Sequence, residues 1–287
     1  MHRHDVADVD VHSTDELASL LGAEVTGRRQ LRAWPLSSVE QLDLADGSTW
    51  VYKAQRLLTV EPAFYLAAGS TPLLPACRVL TQDAESSTLL LEHLSRPWPL
   101  GGRSEASILR DAQMVVEAIS SLPPGLPAFV EIDTSERWAM EVDWTLQGVS
   151  QLIADRRFSR VTTEDVEFLE GWSATAPVVA AVVETSRLAS GDLKFDQVFE
   201  GTDGPRVVDW QVPVRGPADI DLVMLLVDRG MPPLRHVAPA VVGIRWFLHL
   251  RWAVYAKQSL IPAMPHLFDV WAAEAVAAVR AADAYRP

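Results

Sequence analysis

Residues 190–210, S-G-D-L-K-F-D-Q-V-F-E-G-T-D-G-P-R-V-V-D-W, constrain this chain more than any other stretch. Asp192 is followed by Lys194 and then by the carboxamide of Gln197. A turn-rich break from Glu200 to Pro205 separates two short apolar runs, Val198-Phe199 and Val207-Val208, and the second run ends on Asp209. Apolar runs on either side of a Gly/Asp/Pro cluster read as a hairpin. The stretch therefore puts one acid, one ammonium and one amide on a loop, and a second acid beyond a hairpin. Lysine usage adds to this, because only three lysines, Lys53, Lys194 and Lys257, stand against twenty-two arginines. Where arginine is the default cation, a lysine marks a position that needs a compact ammonium rather than a planar fork.

The N-terminal third reads mainly as strands. Residues 14–22 form a short capped helix, with Ser13 or Thr14 as N-cap and Gly22 as its stop. From about Arg29 to Gln55 the pattern is extended. Leu36 to Ala45 and Thr49 to Gln55 flank Asp46-Gly47, a two-residue hairpin signal in which both turn positions take positive φ. Lys53 falls near the end of the second strand, and Pro62 places Glu61 at the start of a helix. Leu74 to Leu80 and Thr88 to His93 read as two further strands. Ser95 to Gly102, rich in Pro and Gly, reads as a linker that divides residues 1–94 from 95–287.

Beyond the linker the chain is mainly helical. Ser104 to Leu122 carries apolar residues at helical spacing. Thr163 to Leu188 opens on a capping-box-like T-E-D-V-E and leads into the Asp192 loop, and Pro217 to Asp228 starts with proline at N1. Residues 236–258 and 264–285 read as two long helices.

Composition excludes several classes. A chain of 287 residues suffices for one large domain or two lobes, and 48% hydrophobic with 22% charged residues are globular values. The single cysteine, Cys77, forbids an internal disulfide and fits a reducing cytoplasm. The polar start, MHRHDVADVD, is no signal peptide, and His2, His4 and His12 read as a frayed tail rather than a metal clip. Val237 to Tyr255 is apolar but interrupted by Arg245, His249 and Arg251, so it reads as a buried helix and not a membrane span. A net charge of −13 argues against a nucleic-acid partner and is compatible with a cationic substrate. The expectation is a cytoplasmic monomer or homodimer.

Taken in order, these pieces resemble the catalytic and metal-binding loops of the protein-kinase-like fold, where protein kinases carry H-R-D-L-x-x-x-N followed by D-F-G. Gly191 after the opening residue and Trp210 after the second aspartate look more like the aminoglycoside phosphotransferase and choline kinase branch. The resemblance runs roughly from Arg29 to Asp228. It implies an α+β, two-lobed fold, with a small antiparallel β lobe and a larger, mainly helical one. It also implies an ATP- and Mg²⁺-dependent kinase that phosphorylates a hydroxyl of an antibiotic, a sugar or an amino alcohol.

By that resemblance, Asp192 accepts or aligns the acceptor hydroxyl proton, and Lys194 faces the γ-phosphate. Gln197 and Asp209 are Mg²⁺ ligands, since magnesium takes few protein oxygens beside phosphate and water. Lys53, in W-V-Y-K-A, is similar to the V-A-I-K lysine that pairs the α/β-phosphates. Glu61 is either its helix partner or an N-terminal acid acting on the helix dipole. The backbone of Glu92, His93 and Leu94 contacts adenine. Ser37 and Ser38, in the place of a glycine-rich loop, are phosphate donors or part of a plain turn. Asp221 bonds the backbone of the catalytic loop. Trp138, Trp144 and Trp172, with Glu136, Glu141 and Asp143, either wall an acceptor pocket suited to a cationic amine or sugar or are helix-face packing and solvated acids.

Three departures stand against it. Ser190 opens the loop where the resemblance has histidine, Gln197 replaces asparagine, and no G-x-G-x-x-G is present. They leave open a degenerate kinase that binds nucleotide or a partner without phosphotransfer. A protein kinase acting on Ser or Thr is discouraged, because no long activation loop separates Asp209 from Pro217.

Overall fold

The computed structural model describes residues 11–56, 59–83, 85–99, 104–261 and 266–286. His2 and His4 lie outside them, as does the end of the Pro/Gly-rich linker. The elements begin with α1 (Thr14–Leu21), β1 (Val25–Trp34), β2 (Ser37–Leu44), β3 (Thr49–Arg56), α2 (Glu61–Ala68), β4 (Cys77–Gln82) and β5 (Ser86–Glu92). Then come α3 (Glu105–Ser120), β6 (Val130–Glu131), α4 (Ser135–Ala154), α5 (Thr163–Ser173), α6 (Ala176–Glu184) and β7 (Ser186–Ala189). The chain closes with β8 (Val198–Glu200), β9 (Pro205–Val207), β10 (Val214–Pro217), α7 (Ile220–Asp228), α8 (Pro239–Tyr255) and α9 (Leu267–Ala284). The protein is α+β, with an antiparallel N-terminal sheet and a helical C-terminal part. The chain forms two compact units. The first is Met1–Pro99, Pro123–Phe129 and Phe195–Val212; the second is Leu100–Leu122, Val130–Lys194 and Pro213–Pro287.

In the first unit the strands form one antiparallel sheet in the order β1-β2-β3-β5-β4. Alternation along β3 decides which face does what. Tyr52 and Ala54 point into an apolar cluster with Leu17, Val25, Leu42, Leu44 and Leu90, which α1 covers. Lys53 and Gln55 therefore point to the opposite face, because successive side chains in a strand alternate. Helix α1 is held for that duty by a capping box: the Ser13 hydroxyl accepts from Glu16 N at 3.2 Å while Ser13 N donates to Glu16 Oε2 at 2.7 Å. Gly22 closes it in the left-handed region at φ 65°. Full burial of Leu17 stabilises this unit by about 1.5–3 kcal/mol.

The β2–β3 connection differs from the expected two-residue turn. Gly47 alone takes positive φ, at 84°. Ala45 to Ser48 form the loop, closed by Leu44 N donating to Ser48 O at 3.0 Å and by Asp46 Oδ1 accepting from Ser48 N at 2.8 Å. The short aspartate side chain bonds its own turn and removes the need for a left-handed Asp46. The β8–β9 hairpin pairs Val198 with Val207, as the two apolar runs suggested.

In the second unit Trp138 of α4, Trp172 of α5 and Phe247 of α8 pack together, with ring centroids 5.1–6.3 Å apart. A small sheet in the order β6-β10-β7 runs beside them, with β6 and β10 parallel. Two helix expectations are corrected here. Thr163 to Leu188 is not one helix: Pro177 restarts the chain as α6, and residues 186–189 leave it as β7 to pair with β10. Pro217 is not at a helix start but ends β10, and α7 begins three residues later. Among the described residues no single helix is long and apolar enough to cross a membrane. Helices α5 and α6 pass that test only together, across a 59° bend.

Candidate functional site

The first unit holds a compact ionic cluster. Lys53 Nζ lies 2.7 Å from Glu61 Oε2 and 2.6 Å from Asp209 Oδ1. Gln197 Nε2 donates to Asp209 Oδ2 at 3.2 Å. The Lys53 and Glu61 side chains are buried, and that of Asp209 is 26% exposed. Two stretches far apart in sequence, one carrying Lys53 and Glu61 and the other Gln197 and Asp209, thus meet on the polar face of β3. Trp210 helps bring them there. Its backbone N–H donates to Glu61 Oε1 at 3.2 Å, and its ring stacks on Phe64 of α2 with centroids 4.3 Å apart and planes 9° from parallel. Gln211 adds Nε2 to Gln55 Oε1 at 2.7 Å. Asp209 itself sits in the left-handed region at φ 71°, a conformation aspartate adopts more readily than most residues.

The electrostatics follow from burial and mutual charge. Burial depresses the Lys53 ammonium, but Asp209 and Glu61 outweigh it, and its pKa lies above the ordinary lysine value. Burial pushes the Glu61 carboxyl up, and Lys53 only partly offsets this against the repulsion of Asp209. For Asp209 burial also acts upward, yet the Lys53 charge prevails and its pKa lies below the usual aspartate value. The cluster holds two acids against one ammonium. Among the described residues no group of three or more His, Cys, Asp or Glu side chains could hold a metal. The Asp209 carboxylate and, with its Nε2 and Oε1 exchanged, the Gln197 carboxamide would offer hard oxygens of the kind Mg²⁺ takes beside phosphate and water.

The second unit holds Asp192 in the loop after β7. Asp221 of α7 fixes that loop, accepting from Ser190 N at 2.6 Å and from Gly191 N at 3.0 Å. Gly191 permits the turn at φ 85°. Asp192, whose side chain is 50% exposed, lies 3.8 Å from Lys194 Nζ and 3.5 Å from Arg245 Nη2 of α8. Burial raises the Asp221 pKa to about 6, against the lowering by the two backbone N–H groups and by Arg245.

The other expected residues are placed as follows. Ser37 and Ser38 are the first residues of β2, buried and paired with Gln55 and Ala54, and the turn lies before them at Pro35-Leu36. Glu92 ends β5. Its N–H donates to Ala76 O at 2.8 Å, and its carboxylate takes a two-pronged ion pair from Arg206 at 2.6 and 2.7 Å. His93 and Leu94 follow, partly exposed. Trp138 and Trp172 are core residues, so packing claims them, whereas Trp144 is exposed under the Arg251 guanidinium, 4.9 Å from its ring centroid. Sequence reasoning missed Arg245 as a neighbour of Asp192. The signal was there, since a charged residue inside the apolar 237–255 window needs a partner.

No family model matches the chain, and no curated protein matches it. Solved structures do, and they define its fold. The chain aligns with a choline/ethanolamine kinase family protein from Mesorhizobium loti at TM-score 0.63 and 15% identity, over 95% of each chain. A macrolide 2′-phosphotransferase from Brachybacterium faecium aligns at TM-score 0.58 and 17% identity, over 92% of this chain and 97% of the other. A spectinomycin phosphotransferase aligns at TM-score 0.54 and 11% identity, over 96% and 99%. All are members of the protein-kinase-like fold, and this chain has that fold.

Proposed function

We propose that the protein is an ATP-dependent small-molecule kinase that transfers the γ-phosphate to an acceptor hydroxyl. The observation that carries the reading is the Lys53–Glu61–Asp209 cluster. Its lysine and aspartate are 156 positions apart in the chain, yet they meet at 2.6 Å on the polar face of a sheet. The names of the fold neighbours, a choline/ethanolamine kinase family protein and two antibiotic phosphotransferases, support it.

In this reading Lys53 holds the α- and β-phosphates, with Glu61 keeping its ammonium in place. Asp209 and the Gln197 carbonyl hold Mg²⁺, which supplies charge neutralisation at the phosphate oxygens. Rotating the Gln197 amide by half a turn would exchange its Nε2 for Oε1 toward the metal. Asp192 aligns the acceptor hydroxyl and takes its proton, and Lys194 meets the transferring phosphoryl group as a point charge. Positioning and electrostatics are the protein's main contributions to phosphoryl transfer. Glu92 to Leu94 serve adenine through the backbone, and Ser37 and Ser38 lie on the strand that precedes Lys53. Residues 1–94 form the nucleotide lobe and 95–287 the acceptor lobe of a cytoplasmic monomer or homodimer.

A second reading, nucleotide binding without transfer, is favoured by one observation: both Asp209 oxygens are engaged, one by Lys53 and one by Gln197. Titration with Mg·ATP, followed by an acceptor screen read as ADP release, separates the two. Asp192→Ala should lower kcat by at least about 10²-fold, the usual cost of losing a positioned base. Full phosphotransfer by that variant would refute the assignment, and nucleotide binding without turnover on any acceptor would favour the second reading.

A further inference from the structure

Arg245 is the most conspicuous group that the proposed chemistry leaves unused. It lies in the middle of α8, its side chain is only 4% exposed, and its Nε is buried with no hydrogen-bond partner. A guanidinium carries five donors and cannot shed its charge, so burying it is costly unless acids compensate. The acids that act on it are Asp192 and Asp221. Asp221 already accepts from Ser190 N and Gly191 N. Asp192, half exposed, is the one that can answer Arg245 while still reaching solvent.

The surroundings of Asp192 make the arrangement directional. Lys194 approaches Oδ2 from the loop itself at 3.8 Å, and Arg245 approaches Oδ1 from α8 at 3.5 Å. Asp221 faces the same region from α7 as a like charge. His249, one turn along α8 from Arg245, is held neutral at ordinary pH. Burial, then Arg245 and Lys194, bring its pKa down to about 3. No imidazolium therefore competes with Arg245 and Lys194 for the carboxylate. Ser190, whose backbone N–H goes to Asp221, is almost fully buried, so the loop backbone is held from α7 and the Asp192 side chain is met from α8 by Arg245.

We propose that Arg245 is the positioning residue of the Asp192 loop, a buried cation that holds one oxygen of the Asp192 carboxylate while Lys194 faces the other, and so fixes the direction from which the carboxylate meets the acceptor hydroxyl. This rests on the kinase reading for the role of Asp192, but the Arg245–Asp192 coupling can be tested without it. Asp192→Asn, Arg245→Met and the double variant are unfolded in urea. Asp192→Asn should lower the urea midpoint in the wild-type background, where it strands a buried cation, and leave it unchanged in Arg245→Met. An equal effect in both backgrounds would overturn the proposal. If Arg245→Met does not fold, Arg245→Gln takes its place in the same cycle.

The catalytic side is read with Mg·ATP and an acceptor found by the screen above. Arg245→Met should lower kcat by tenfold or more, leave KM for ATP within twofold, and regain part of kcat in Arg245→Lys. Equal losses in kcat and ATP affinity would point to a merely structural arginine and also overturn it. Urea coupling with no turnover on any acceptor would remove the positioning role together with the kinase reading. Phosphotransfer without coupling would remove the role of Arg245 alone.

Discussion

The Lys53 cluster and the Asp192 loop both bring acids and cations together, but they do so in opposite ways. Around Lys53 the contacts are 2.6–2.7 Å, and the ammonium is buried between a nearby acid, Glu61, and a remote one, Asp209. Around Asp192 the cations stand at 3.5 and 3.8 Å, and the carboxylate is half exposed. Tight pairing suits a group that must hold a fixed charge against polyphosphate. A half-exposed carboxylate suits one that must meet an incoming hydroxyl. The backbone beneath Asp192 is nonetheless firmly tied, because Asp221 binds two successive N–H groups. Precision in that region lies in the loop backbone, which Asp221 holds from α7.

Removing one cation from each region is the strongest way to break this contrast. Lys53→Met strands the fully buried Glu61 beside Asp209, and loss of one partner from a buried pair costs about 3–5 kcal/mol. Lys194→Met removes an exposed contact worth about 1 kcal/mol or less. Urea unfolding at pH 7 should show the two variants well separated, with Lys53→Met much the less stable. Similar midpoints would mean that the short distances around Lys53 carry no more energy than the long ones around Asp192.

Next in size is a pH effect confined to the Asp192 region. Asp221 has a folded pKa of about 6 against an ordinary aspartate value of 3.8. The fold therefore favours the protonated acid. Its contribution is fully present below the unfolded value and is lost as pH rises through the folded one. A shift of this size amounts to roughly 3 kcal/mol across pH 4 to 6. Stability of the wild type relative to Asp221→Asn should fall over that window and stay level above it. A flat difference would show that the Ser190 and Gly191 N–H groups already offset the burial of the charge.

The two regions were not equally legible in the sequence. The Lys53 side was readable because strand alternation and a proline-marked helix start are local signals. W-V-Y-K-A puts Lys53 opposite the Tyr52 face, and Pro62 puts Glu61 on the first turn of α2. The hairpin between Gln197 and Asp209 was also local. What local patterns could not give is what long-range packing decides. The stacking of Trp210 on Phe64 joins segments remote in sequence, and Arg245 meets Asp192 only because α8 passes beneath the loop. Trp138 and Trp172 could be read as pocket walls or as packing, since an aromatic beside an acid reads alike on a helix face and in a core. The break between α5 and α6 has a local mark in Pro177, whereas β7 is hidden in residues whose strand character comes from pairing with β10. The Asp46-Gly47 signal was right about the hairpin and wrong about the turn, because a side-chain bond to Ser48 N replaced a backbone conformation.

The smallest expected effect concerns Gln197, where the two readings of the protein diverge. Its amide donates to Asp209 Oδ2 at 3.2 Å, and a hydrogen bond of this kind is worth about 0.5–1.5 kcal/mol. Gln197→Ala should lose that amount of stability. Gln197→Asn should lose nearly as much, because its side chain is shorter by about 1.5 Å, one carbon–carbon bond. If Gln197 also holds Mg²⁺, both variants should need more Mg²⁺ for half-maximal phosphotransfer, and alanine more than asparagine, since asparagine keeps a carbonyl oxygen. If Gln197 serves only to tether Asp209, the stability loss should appear with no change in Mg²⁺ requirement. The Lys53 region would then be a closed ionic lock, complete within itself, and its tight geometry would describe a protein that has stopped transferring phosphate.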